Sequence, residues 1–259
     1  SSSTNMYPGS AYLTGSAQWV NNDNYFISNT GGKLVLFDRS SNVGVLPTTL
    51  NVSNTFSNSY SATFDTFFFT PDGTKMFTVY GNGKISEYGL TTAWDLTTMT
   101  LTTTYDSTGT DHYSTTYKGI VLNSTGTKLY VGYDHNGDAD DGIFEFDLST
   151  AYDLSTISYN GKYLSTKAVA EFNSARQLSI SDDDTKVFFT GMVNGSTHEV
   201  WAFEMESVSS GSSSSTASYG IAGSTYGGFV ANSTTDVIWQ GWDGHTLMRN
   251  LSFGNNGSV

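Results

Sequence analysis

Five times along the chain a short apolar run, a polar turn and a second apolar run follow one another. The copies are AQWVNNDNYFIS from Ala17, TFFFTPDGTKMFTV from Thr66, GIVLNSTGTKLYVG from Gly119, LSISDDDTKVFFTG from Leu178 and GFVANSTTDVIWQG from Gly228. Runs of this length, rich in aromatic and β-branched residues and bounded by Gly, Pro, Asn and Asp, predict pairs of strands joined by tight turns. A third segment of alternating pattern follows each pair: KLVLFD from Lys33, KISEYG from Lys84, GIFEFD from Gly142, EVWAFE from Glu199 and TLMRNL from Thr246. With Phe26, Phe77, Tyr130, Phe188 and Ile238 taken as equivalent, the steps are 51, 53, 58 and 50 residues. Even spacing of this kind marks a repeated unit.

Units two and three also share a nonapeptide after the third strand, LTTAWDLTT from Leu90 and LSTAYDLST from Leu148, with a fourth strand expected beyond each. A four-stranded sheet this short cannot bury both faces alone. Neighbouring sheets must stack, and a closed ring leaves no unstacked end. The pattern therefore predicts an all-β protein: a five-bladed β-propeller of four-stranded antiparallel blades in one domain over residues 1–259. The expected blades are 16–60, 61–113, 114–172, 173–222 and 223–259. The last blade runs out after its third strand, so an N-terminal strand at Ala11–Thr14 is expected to supply the missing outer strand and close the ring. An open β-sandwich or a β-solenoid would leave the even steps unexplained.

Composition narrows the setting. Of 259 residues, 37% are hydrophobic and 14% aromatic, enough for a core despite the abundant Ser and Thr. The run SVSSGSSSSTAS, from Ser207 to Ser218, has little to bury and is expected to be locally disordered. The net charge of −13 repels phosphate backbones and anionic lipid surfaces, which argues against nucleic acid as a partner. Without cysteine, the fold must rest on packing and strand pairing. No run of 18 apolar residues occurs, so no membrane insertion by helix is expected.

The segments TPDGTKMFTV from Thr70, ISEY from Ile85 and LTTAWDLTT resemble the blades of a propeller-like repeat of aquatic bacteria and their phages. The match is specific in units two and three, weaker in unit four, and a bare pattern in units one and five. The resemblance implies surface display or a place in a virion, and it brings no catalytic residues. Receptor-binding proteins of some tailed phages are similar by fold analogy alone.

In such blades the loops after strands one and three lie on one face and those after strands two and four on the other. The first set is regular here, and its Asp72, Gly73, Lys75, Asp95 and Asp153 read as turn scaffold. Trp94 and Tyr152 are expected to pack between blades. The second set varies in length and content from unit to unit, which is where binding is expected.

On that variable face Tyr113, Tyr117, Tyr226 and Trp242 stand beside Asp111, His112, Asp243 and His245. Aromatic faces with neighbouring carboxylates suit the C–H surfaces and hydroxyls of a glycan, and the same rings could equally cap blade tops. The run DHNGDADD places Asp134, Asn136, Asp138 and Asp140, followed by Asp141, at spacings that resemble the opening of a calcium loop. It departs from the EF-hand pattern at Ala139, which stands where Gly is required, and at Glu145, one place early for the bidentate ligand. A solvated acidic hairpin tip is the other reading, so calcium is a possible rather than a required cofactor. Asp65, Lys118 and Arg176 precede the first strands of units two to four, at the mouth of the axis. They could read a charged ligand or form an ion-pair ring.

Asp65, Asp111 and Asp243 could also serve a glycosidase of this fold, although no glycosidase signature surrounds them. None of His112, His135, His198 or His245 lies near a Gly-x-Ser-x-Gly turn. The expectation is a non-catalytic recognition module on a virion or cell surface, with a glycan or another surface protein as partner. A purely structural virion subunit is the main alternative.

Overall fold

The structure is a computed structural model. It describes residues 17–20, 25–30, 33–38, 51–57, 66–80, 83–110, 116–133, 141–165, 172–193, 197–205, 217–220, 229–231, 236–240 and 246–250.

Each unit of the pattern forms its own antiparallel sheet, with strands in chain order across it. The first contains β1 (Ala17–Val20), β2 (Tyr25–Thr30), β3 (Lys33–Asp38) and β4 (Asn51–Ser57). The second contains β5 (Thr66–Phe69), β6 (Lys75–Tyr80), β7 (Lys84–Leu90) and β8 (Met99–Asp106). The third contains β9 (Tyr117–Leu122), β10 (Lys128–Tyr133), β11 (Gly142–Leu148) and β12 (Ile157–Ser165). The fourth contains β13 (Phe172–Ile180), β14 (Lys186–Val193), β15 (Thr197–Glu204) and β16 (Ala217–Gly220). Among the described residues the fifth has three strands: β17 (Phe229–Ala231), β18 (Asp236–Gln240) and β19 (Thr246–Asn250).

Fourth strands thus occur in units one and four, where no shared nonapeptide announces them. Ala217 and Ser218 close the run expected to be disordered, yet they pair with Ala202 and Trp201. The free edge of β15 offers hydrogen bonds that a short polar segment can take, whatever its apolar content. Ala11–Thr14, the expected closing strand, lies outside the described residues.

The sheets stack face to face. Val20, Ile27, Leu34 and Leu36 of the first sheet share one buried cluster with Phe67, Phe69, Met76 and Tyr88 of the second. Phe77, Val79 and Ile85, on the other face of the second sheet, pack with Ile120, Leu129, Val131 and Phe146 of the third. Val121, Tyr130 and Ile143 meet Leu178, Val187, Phe189 and Phe203 of the fourth. Because alternate side chains point to opposite faces and both faces are covered, the strands read as continuous apolar runs such as TFFF. The first strand of each sheet faces its neighbours' first strands: β5 touches β1 and β9, β13 touches β9 and β17, and β1 touches β17. This is a β-propeller-like all-β fold.

Candidate recognition face

The regular end of the blades is built from turns that consume their own polar groups. In the second sheet Asp72 accepts hydrogen bonds from the Thr70 hydroxyl at 2.6 Å and from the Thr74 N–H at 3.0 Å. In the fourth, Asp183 accepts in the same way from the Ser181 hydroxyl at 2.6 Å and the Thr185 N–H at 3.1 Å. The third has Thr125 where these turns have Asp, and Asn123 takes over, accepting from the N–H groups of Thr127 and Lys128, each at 2.9 Å. Hydrogen bonds from Ser181 and Thr185 hold the Asp183 carboxyl down at about 2. Burial works to raise the Asp72 carboxyl, and its bonds from Thr70 and Thr74 outweigh that and lower it.

The nonapeptide connectors form a second layer on this end. Each carries a short 3₁₀ turn, Leu96–Thr98 or Leu154–Thr156, capped by the side chain of Asp95 or Asp153. The aromatic residue before the cap adopts a left-handed backbone, φ 65° at Trp94 and 54° at Tyr152, and folds its ring over the turn glycine of its own sheet. The Trp94 N–H donates to Gly73 O at 3.1 Å and the Tyr152 N–H to Gly126 O at 2.9 Å. Trp94 also meets Tyr25 of the first sheet, with ring centroids 6.5 Å apart.

The connector of one sheet also fastens the sheet before it. Glu87, 2% exposed, pairs with Lys75 at 2.9 Å and accepts from the Leu154 N–H at 2.7 Å, while Lys75 Nζ donates to Tyr152 O at 2.6 Å. The sequence pattern places Lys75 in a turn and names no role for Glu87. The signal was present: in KISEYG, Glu87 shares a face with Ile85, where an apolar residue belongs. A comparable fastening joins the first and second sheets, where Gln18 Oε1 accepts from the Phe69 N–H at 2.8 Å.

At the opposite end, described residues that flank the varied loops are tied to one another. The Ser107 hydroxyl donates to Gly83 O at 2.8 Å and accepts from the Tyr117 hydroxyl at 2.9 Å, and the Ser107 N–H donates to the same carbonyl at 3.0 Å. Alongside, Asp106 accepts from the Thr108 hydroxyl and N–H and pairs with Lys84 at 3.2 Å. The Thr108 bonds, helped by Lys84, bring its carboxyl down to about 2. Tyr133 of β10 and Phe144 of β11 stack with centroids 4.0 Å apart, and Asp141, just before β11, is 4% exposed.

This geometry corrects one expected ligand residue. Tyr117 is fully buried in the core and spends its hydroxyl on Ser107, so it supports the loops from below and presents no ring to solvent. It opens β9, where the side chain turns inward between the second and third sheets. Lys118 follows it, half-buried. Arg176 lies in β13, with only its backbone described. Asp65, Asp111, His112, Tyr113, Asp134, Asn136, Asp138, Asp140, Tyr226, Trp242, Asp243 and His245 lie outside the described residues. Among the described residues no group of three acidic or imidazole side chains is placed to hold a metal, and no helix is long and apolar enough to cross a membrane.

No family model matches the sequence, and no curated protein does. Several solved structures are similar in fold. One is a Bacteroides fragilis protein whose structure bears the name putative 6-phosphogluconolactonase, at 12% identity and a TM-score of 0.50 over 74% of this chain and 51% of that one. Another is a functionally unknown protein from Desulfotomaculum acetoxidans, at 14% identity and a TM-score of 0.50 over 90% and 70%. A third is the hydrazine synthase of Kuenenia stuttgartiensis, at 10% identity and a TM-score of 0.50 over 86% and 60%. The chain spans about half the length of the first. Identities this low carry the fold and nothing of the chemistry.

Proposed function

We propose that this chain is a non-catalytic recognition module displayed on a virion or cell surface, a tail-fibre or similar phage component, which binds a glycan or another envelope component through its variable face. The observation that carries the reading is the division of labour between the two ends of the blades. At the regular end, Asp72, Asp95, Asp153 and Asp183 all accept hydrogen bonds within their own turns, and the connectors lock sheet to sheet. That end is committed to holding the frame. At the other end, the sequence of the loops varies in length and content from unit to unit, while Ser107, Gly83 and Tyr117 beside them are joined by hydrogen bonds, a support of the kind on which binding loops sit.

The same reading takes the fold as a five-bladed ring. Contact of β1 with both β5 and β17 supports closure, and Ala11–Thr14 is the strand proposed to complete the last blade. Glycan-array binding by the intact chain, together with host-cell adsorption of particles carrying it, is the test. Binding that disappears when Trp242 and Tyr113 are replaced by Ala is the expected result. Absence of glycan binding, with the variable face buried against a neighbouring subunit in the assembled particle, would instead identify a structural component.

A further inference from the structure

The fourth sheet differs from its neighbours on the face it turns away from the third. Leu178 and Ile180 of β13 pack toward Val121 and Tyr130 of the third sheet, which leaves Ser179 pointing the other way. By register, Ser179 lies opposite Phe188 as Val121 lies opposite Tyr130 and Phe68 opposite Phe77. A buried serine thus stands where the second and third sheets carry apolar residues. Two residues earlier Gln177, 8% exposed, occupies an irregularity of register between Ala175 and Leu178. Its backbone N–H donates to the Thr190 hydroxyl at 3.2 Å, and Thr190 is itself 5% exposed. The Gln177 Oε1 is buried and has no hydrogen-bond partner among the described residues.

An amide oxygen withdrawn from water with nothing to accept is destabilising, because it forfeits its hydrogen bonds to water without replacement. Irregular strand positions commonly re-aim a side chain toward a site. We propose that Gln177, Ser179 and Thr190 form a polar slot on the inner strands of the fourth sheet, beside β17, and that the slot takes a hydroxyl group donating to Gln177 Oε1. The hydroxyl belongs to an ordered water or to a small polyol such as a monosaccharide. The chemistry is the same in both cases: one O–H donor, with no charge to neutralise. This slot is separate from the variable face and stands whether or not that face binds a glycan.

The test is a high-resolution crystal structure of the unaltered protein, grown without polyol and then soaked in D-glucose or glycerol. An oxygen within about 2.5–3.0 Å of Gln177 Oε1 is expected in one or both crystals. A protein donor from residues 221–245 at that position, or an unfilled space, would overturn the proposal. Thermal melts of the wild type and Gln177→Met in the same polyols separate the two sources. Polyols raise melting temperatures generally by exclusion from the surface, so only the difference counts. A rise at least about 2 °C larger in the wild type assigns the slot to a polyol, and equal rises assign it to water.

Discussion

The indole ring of Trp94 occupies the space that a β-carbon on Gly73 would fill. Tyr152 stands in the same relation to Gly126 in the third sheet. The fourth sheet has no such aromatic connector in its sequence, and there the left-handed turn position is Asp184, φ 56°, a residue with a side chain. The Asp184 carboxylate reaches back to the third sheet and accepts from the Ser124 N–H at 2.9 Å and from its hydroxyl. Glycine is required where a ring covers the turn, and it can be dispensed with where none does.

Gly73→Ala is therefore expected to destabilise the protein by about 2–4 kcal/mol, combining overpacking against the ring with an unfavourable backbone. In a Trp94→Ala background the same change should cost only about 1 kcal/mol, the backbone share. A double-mutant cycle in urea measures the difference, and additive costs would mean that the ring contact contributes nothing.

Glu87 joins two sheets through one buried carboxylate. Glu87→Ala should cost about 1–3 kcal/mol, since it leaves the buried Leu154 N–H without its acceptor and removes the ion-pair partner of Lys75, which keeps its bond to Tyr152 O. Glu87→Gln keeps an acceptor for Leu154 and should cost less. Equal losses for the two variants would show that the Leu154 bond is unimportant.

Acid should weaken the turns before it reaches the core. Asp106 and Asp183 are depressed from 3.8 to about 2, and Asp72 and Asp153 are lowered as well. Between about pH 4 and pH 2 the unfolded chain binds more protons than the native one, so stability rises with pH there. The contribution is fully present above about pH 4 and is lost as pH falls through about 2. Melting temperature against pH should show this slope, and Asp183→Asn should flatten it. At the alkaline end, burial, aided by the Glu145 charge, pushes the Tyr130 phenol up to about 12. The unfolded phenol ionises first, so stability should fall as pH rises above about 10.

Closure of the ring is tested by removing residues 1–15. On the proposed closure, in which Ala11–Thr14 completes the last blade, the truncated chain should melt at a sharply lower temperature, because loss of that strand would leave an open edge. An unchanged melt would place the fastening elsewhere.

Tyr117 illustrates the limit of reading a site from a chain. In TTYKGIVL the sequence places an aromatic residue at the boundary between a varied loop and a strand, and nothing local says on which side of that boundary the ring belongs. Packing decides: the ring is buried between the second and third sheets and its hydroxyl meets Ser107. Glu87 shows the converse. Its place on an apolar face was visible in KISEYG, while its partners are contributed by Lys75, twelve positions earlier, and by the next unit's connector.

The period, the all-β class and the turn chemistry were determined by the sequence alone. Strand alternation and the residues of tight turns are local properties, set by φ and ψ preferences and by the side-chain period of two. Contacts between units were decided only by the tertiary structure, because they join residues about 50–70 positions apart that no local pattern links. Gln18 on Phe69, Glu87 on Leu154 and Asp184 on Ser124 each exist only once one sheet has stacked on the next.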